Sequence, residues 1–233
     1  GNRGLPFGPH PHRGFETVTF IVEGSLVHSD NAGHTSAIDA GGIQWMTAGR
    51  GIEHSETSSQ EFRDRGGPLE ILQLWVNLPS SLKMVEPRYV GLQKKDIPSI
   101  PAFDGRATVN LTAGEWDGQH GAVQSLTGHT MMTIALERGA KISIPAPSSR
   151  RVFFYVVRGE VRIGAQFART FELVDFNQDG DAIAIEAVTD SLVIFAHADR
   201  LDEPIAAQGP FVMNTREEIL QTIREYQRGG FRQ

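Results

Sequence analysis

Two short clusters carry the residues best suited to chemistry, His10-Pro11-His12 and His54-Ser55-Glu56. Each sets two potential metal donors two residues apart. In an extended chain, residues i and i+2 point to the same face, about 6–7 Å from one another. If the two segments were neighbouring strands of a small barrel, their side chains would converge as three imidazoles and a carboxylate, a set suited to a divalent transition metal. Glu16, four residues after His12, offers a second carboxylate. Simple alternation puts His10, His12, Glu16, Val18, Phe20 and Val22 on one face, unless Gly14 hosts a bulge and shifts the parity. By that parity Glu16 and Glu56 both face inward, and either can be the fourth ligand or a general base.

The elements that must position these residues read as strands. Pro9 and Pro11 lack a backbone N–H and bias Gly8 and His10 toward extended conformations. Residues 15–22 are rich in aromatic and β-branched side chains, and Glu23-Gly24 makes a tight turn into a short strand over 25–29. Turns follow at 30–33 and 39–42, then a strand over 43–46, and Gly49-Arg50-Gly51 lets the chain reverse before Ile52 to Glu56. Leu69 to Leu78 is an apolar run suited to a buried strand. Residues 79–101, richer in lysine and proline, read as a connection. A second β-rich half spans about 107–197, with strands expected at 142–144, 152–157, 161–163, 182–186 and 192–196.

The two halves look like a degenerate repeat, since Val22-Glu23-Gly24-Ser25-Leu26 compares with Val157-Arg158-Gly159-Glu160-Val161. Aligning Gly24 on Gly159 sets Pro145 and Pro147 opposite His10 and His12, so the second half lacks the first donor pair. The tail differs. Thr215 and Glu218 form a capping box, Ile219, Leu220, Ile223 and Tyr226 make an apolar stripe, and Gly229-Gly230 supplies a stop, which predicts one helix packed on a barrel. The fold class expected is all-β, two barrels with a C-terminal α-helix, divided as 1–96, 97–205 and 206–233. Trp45, Met46, Phe20 and Val22 are read as core, Arg13 and Arg50 as surface charges, and His28, His34, His120, His129 and His197 as surface or satisfied core residues.

A chain of 233 residues is long enough for two such units. Net charge is −6, the sequence pI is about 5.8 and no basic stripe is present, so direct nucleic-acid binding is not expected. With no cysteine, a metal must be held by nitrogen and oxygen. No apolar run is long enough to cross a bilayer and no signal peptide is evident, so the expected location is the cytoplasm, away from membranes.

The blocks GPHPHRGFETVTF, GGIQWMTAGRGIEHSE, LQLWVNLPSSLKMVEPRY and EPIAAQGPFVMNTREEI, in that order and over nearly the whole chain, resemble the pirin family of the cupin superfamily. The resemblance implies two cupin-type barrels with a mononuclear metal, usually Fe(II), in the first and none in the second. It implies ligand roles for His10, His12, His54 and Glu56. The first motif typical of cupins, H-x-H-x(3,4)-E, would instead select Glu16. Zinc, nickel, manganese or copper suit the same donors. Pirins usually carry some tens of residues before the HPH motif, whereas nine precede His10 here, so either a preceding segment lies beyond the sequence given or an edge of the first barrel is left open. Two functions are implied. One is a quercetin 2,3-dioxygenase, in which Glu56 or Glu16 takes the 3-hydroxyl proton of a flavonol and O₂ opens the ring with release of carbon monoxide. The other is a redox-sensitive regulator that binds a transcription factor or a metabolic enzyme.

Overall fold

Runs of β-branched and aromatic residues, broken by glycine turns, fold into antiparallel strands throughout. The computed structural model describes residue 4, residues 6–229 and residue 231. Two units result, residues 1–95 together with 201–233, and residues 96–200. The architecture is all-β, two cupin-type barrels with a C-terminal α-helix.

The first unit holds β1 (Pro6–His12), β2 (Phe15–Glu23), β3 (Ser25–Asp30), β4 (Thr35–Asp39), β5 (Ile43–Thr47), β6 (Ile52–Thr57), the short α1 (Gln60–Arg65), β7 (Glu70–Asn77) and β8 (Arg88–Leu92). They form two four-stranded sheets, ordered β1-β6-β3-β4 and β7-β2-β5-β8. The second unit holds β9 (Ser99–Ala102), β10 (Ala107–Ala113), β11 (Glu115–Trp116), β12 (Gln119–His120), β13 (Thr130–Leu136), β14 (Lys141–Pro145), β15 (Arg150–Arg158), β16 (Glu160–Ile163), β17 (Gln166–Arg169), β18 (Leu173–Val174), β19 (Ala182–Ala187) and β20 (Ser191–Asp199). Its larger sheets run β18-β15-β20-β13-β10-β9 and β14-β19-β16-β17, around a buried core that includes Leu111, Ile134, Phe154, Val161 and Phe195. The connection expected at 79–101 carries β8 and β9, two short strands bounded by prolines, each of which completes the edge of a sheet.

The repeat is visible in the topology. Both small sheets share one order, β1-β6-β3-β4 and β14-β19-β16-β17, and Gly24 and Gly159 make matching turns at φ 82° and 85°. Where β1 and β6 set His10 across from His54, β14 and β19 set Pro145 across from Ala182.

The tail adds β21 (Ala206–Gln208), β22 (Phe211–Met213) and α2 (Arg216–Gln227), and it belongs to the first unit. The capping box is present: Thr215 Oγ1 accepts from the Glu218 N–H and Glu218 Oε2 accepts from the Thr215 N–H. Ile219, Ile223 and Tyr226 pack with Phe211, Met213 and Phe231, whereas Leu220 turns to solvent, 39% exposed. The helix closes at Arg228 and Gly229 takes φ 78°; Gly230 lies outside the described residues. No described helix is long and apolar enough to cross a membrane.

Arg13 is buried rather than a surface charge. Its guanidinium donates to Glu225 Oε2 at 2.6 Å and to the Arg50 carbonyl at 2.5 Å, and it lies over the Phe231 ring at 4.3 Å. Arg50 is half exposed and pairs with Glu86. Beside Arg13, Gly14 adopts φ 85°, and a Cβ there would fall 2.0 Å from the Val212 carbonyl oxygen, so only glycine permits the approach of β22. Lys83, 1% exposed, ties the same corner by donating from Nζ to Gly14 O, Asn77 Oδ1 and Val212 O at 2.8, 2.6 and 3.0 Å. Lys83→Met leaves three acceptors without a donor and is expected to cost about 1–3 kcal/mol of stability, read as a lower urea midpoint.

Candidate metal centre

The pairing of β1 with β6 builds the centre. His10 stands directly across from His54, and His12 lies one alternation along β1 on the same face, across from Ile52. β1 is the edge of its sheet, where Pro9 and Pro11 cost few ladder hydrogen bonds. The ring centroids of His10, His12 and His54 lie 4.4–4.9 Å apart. One ligand nitrogen from each falls within 4.8 Å of the others, and among the described residues this is the one such group of three or more potential ligands.

The site is buried: His12 is 3% and His54 2% exposed. Burial, then the neighbouring His10, pushes the His12 pKa down to about 4. Burial, then His12, His10 and His28, pushes His54 to about 2. Both rings are therefore neutral near pH 7, as metal binding requires. Their far sides are engaged: His10 Nδ1 meets Gly8 O at 2.8 Å, His12 Nδ1 meets Pro210 O at 3.4 Å and His54 Nδ1 meets His28 Nδ1 at 3.4 Å. The Nε2 atoms of His12 and His54 are buried and have no hydrogen-bond partner. Converging, neutral imidazoles with bare inner nitrogens fit a divalent metal ion.

Glu56 follows His54 on the same face of β6 and lines a cleft of about 720 Å³ with His10, His12, Phe7, Gln73 and Trp75. Gln73 Nε2 donates to both its oxygens, at 3.2 and 3.0 Å, and Thr19 Oγ1 donates at 3.4 Å. Burial raises its pKa, against the pull of those donors.

Glu16 is elsewhere. β1 ends at His12, the chain bends through Arg13 and Gly14, and β2 restarts with Phe15 against His12, ring centroids 5.1 Å apart. This bend shifts the alternation. Thr19 reaches Glu56, so Glu16, three residues earlier in the strand, points to the opposite side of the sheet. There it accepts from Thr47 Oγ1 at 2.6 Å, with burial raising its pKa, and it does not line the cleft. The inward parity expected for Glu16 is thus corrected by the bulge position that Gly14 offers.

Four further residues contribute that are not among the candidates named from the sequence. His28 and Asp30 repeat the i, i+2 spacing of His10 with His12 and of His54 with Glu56, and Gln73 is the polar break in the apolar run of β7. Pro210, whose carbonyl faces His12, carried no local signal. Among the remaining histidines, His34 bonds Asp30, and His129 Nδ1 lies 2.7 Å from Thr127 Oγ1.

Known proteins resemble this chain along most of its length. Residues 2–76 match the Pirin family model and residues 131–232 the Pirin C-terminal cupin domain. Human Pirin is 40% identical over 241 residues, covering 99% of this chain and 80% of its own. The chain belongs to the pirin family. Among solved pirin-like structures, a quercetin 2,3-dioxygenase from Acinetobacter baumannii superposes with a TM-score of 0.92 at 36% identity, over 96% of this chain and 78% of its own. The bacterial pirin YhhW from Escherichia coli, in complex with nickel(II), gives a TM-score of 0.66 at 27% identity, over 83% and 76% of the two chains.

The depressed histidines of this pirin set a pH dependence. Below pH 6.5 the unfolded chain takes up protons that folded His12 and His54 refuse, so stability falls as pH falls. Metal-free protein is expected to unfold at lower urea between pH 6.5 and about pH 4, where His12 begins to titrate; the raised carboxyls of Glu16 and Glu56 act in the opposite sense. Urea midpoints across that range check this, and His54→Phe should flatten the slope.

Proposed function

We propose that this chain is a mononuclear Fe(II) dioxygenase of the quercetin 2,3-dioxygenase type, acting on flavonol-like substrates with O₂. The carrying observation is the junction of the imidazole group with an aromatic-walled cleft. His10 and His12 line it, and Phe7 and Trp75, each about half exposed, offer flat apolar faces. Its volume of about 720 Å³ is within the usual range for a small-molecule site. The likeness to the Acinetobacter baumannii enzyme supports the same reading.

In this reading His10, His12 and His54 hold the ion in the barrel of residues 1–96, Glu56 completes the set, and the barrel of residues 97–205 holds none. Zinc, nickel, manganese or copper would bind the same donors, and iron is assigned from the family resemblance rather than from the donor set. When bound, the ion would supply Lewis acidity and the redox chemistry with O₂. The protein's own part is orientation and proton handling. A flavonol lying against Phe7 and Trp75 presents its hydroxyl edge toward Glu56, the cleft-lining carboxylate within reach to take the 3-hydroxyl proton. Gln73 and Thr19 keep that carboxylate in one orientation. Leu26, Leu69 and Ile71 add apolar lining to the cleft.

Protein loaded anaerobically with Fe(II) is expected to bleach quercetin in air with carbon monoxide appearing. His54→Ala should lose most bound metal. Glu56→Gln should lower kcat by about 100- to 10,000-fold, while Glu16→Gln keeps its metal and most of its turnover. Stoichiometric iron with no consumption of any flavonol would shift the reading to the redox-sensitive regulator and its protein partner.

A further inference from the structure

Behind His54 lies a second pair of residues that the ligand set does not include. β3 runs beside β6, with Asp30 across from His54 and His28 across from Glu56. The His28 ring is 1% exposed and stacked on Tyr89, centroids 4.0 Å apart and planes 10° from parallel. One ring nitrogen, Nε2, lies 3.0 Å from Asp30 Oδ2, and the other, Nδ1, lies 3.4 Å from His54 Nδ1.

The directions of these bonds follow from who owns a hydrogen. The Asp30 side chain is fully buried and accepts throughout: Oδ1 takes the backbone N–H groups of Ala32 and His34, both at 3.0 Å, and His34 Nδ1 reaches both oxygens. A carboxylate has no hydrogen to give, so His28 Nε2 donates. A neutral imidazole carries one N–H, so His28 Nδ1 is bare and accepts. The hydrogen between the two rings then sits on His54 Nδ1. His54 Nε2 is left with a free lone pair, and it is the buried atom without a partner.

We propose that Asp30 and His28 are positioning residues, a carboxylate–imidazole pair that locks His54 in the tautomer whose Nε2 faces the metal. The proposal rests on the reading of His54 as a ligand. His10 and His12 have their tautomers set by single backbone carbonyls, Gly8 and Pro210. His54 depends on side chains, so its tautomer can be reversed by substitution. Asp30→Asn is the sharp change. The two backbone N–H groups at Oδ1 keep the amide oxygen there, which turns the NH₂ toward His28 Nε2. His28 then accepts at Nε2, carries its hydrogen on Nδ1, and drives the His54 hydrogen onto Nε2, the atom that must bind.

Two measurements test this. Long-range ¹H–¹⁵N correlation spectra of the metal-stripped wild-type protein should show hydrogen on His54 Nδ1 and His28 Nε2; hydrogen on His54 Nε2, or on both nitrogens of His28, overturns the proposal without any variant. Fe(II) affinity, measured anaerobically against a competing chelator, should fall about 10- to 100-fold in Asp30→Asn, with the His54 hydrogen moved to Nε2 in its spectrum. His54→Ala separates the two readings. If it binds Fe(II) as wild type does, the ligand assignment fails and the proposal with it. If it loses Fe(II) while Asp30→Asn binds normally, the positioning role alone is overturned.

Discussion

The antiparallel register of β1 against β6 is the constraint on which the rest of this pirin depends. It alone brings His10 beside His54, and a slip of one residue would turn every donor on the moving strand to the other face. β1 is an edge strand interrupted by two prolines and a register shift between Phe7 and His10, so its own ladder is sparse. The register is secured from outside that ladder. β6 is held on its other side by β3, and Asn31 clamps Glu53 by both its backbone N–H and its side-chain oxygen. The proline-stiffened segment then has few alternatives.

The same geometry sets the energetic character of the centre. Three imidazoles packed within 5 Å of one another cannot all be charged, and burial keeps the inner two neutral. Neutrality leaves bare, buried acceptors at Nε2 of His12 and His54, each unsatisfied at a cost of about 1–3 kcal/mol. A bound cation removes that cost, so metal affinity and fold stability share one source. The pair His28 and Asp30 extends the logic outward, because fixing a hydrogen on one side of a ring bares the other.

Much of this was legible in the residues. The i, i+2 spacing that brings His10 and His12 to one face, the glycine turn at Gly24 with its echo at Gly159, and the capping box at Thr215 and Glu218 are local patterns with local causes, and the strands, turns and cap they call for are present. Glu16 was misplaced because alternation was carried through Gly14, where a left-handed residue breaks it; a bulge shifts parity without leaving a mark on hydrophobic periodicity. Arg13 looked like a surface charge because its partner, Glu225, lies 212 positions away. The role of Pro210 was beyond reach for the same reason, since a backbone carbonyl has no sequence identity to read.

That last contact orders events in the making of the molecule. His10, His12 and His54 precede in chain order the parts that brace them: the carbonyl that faces His12, the strand that docks on Gly14 and the carboxylate that pairs with Arg13 come from residues 210, 212 and 225. The nascent barrel has its imidazoles long before it has the struts behind them. Chain order therefore leaves the back wall of the pocket to be completed last.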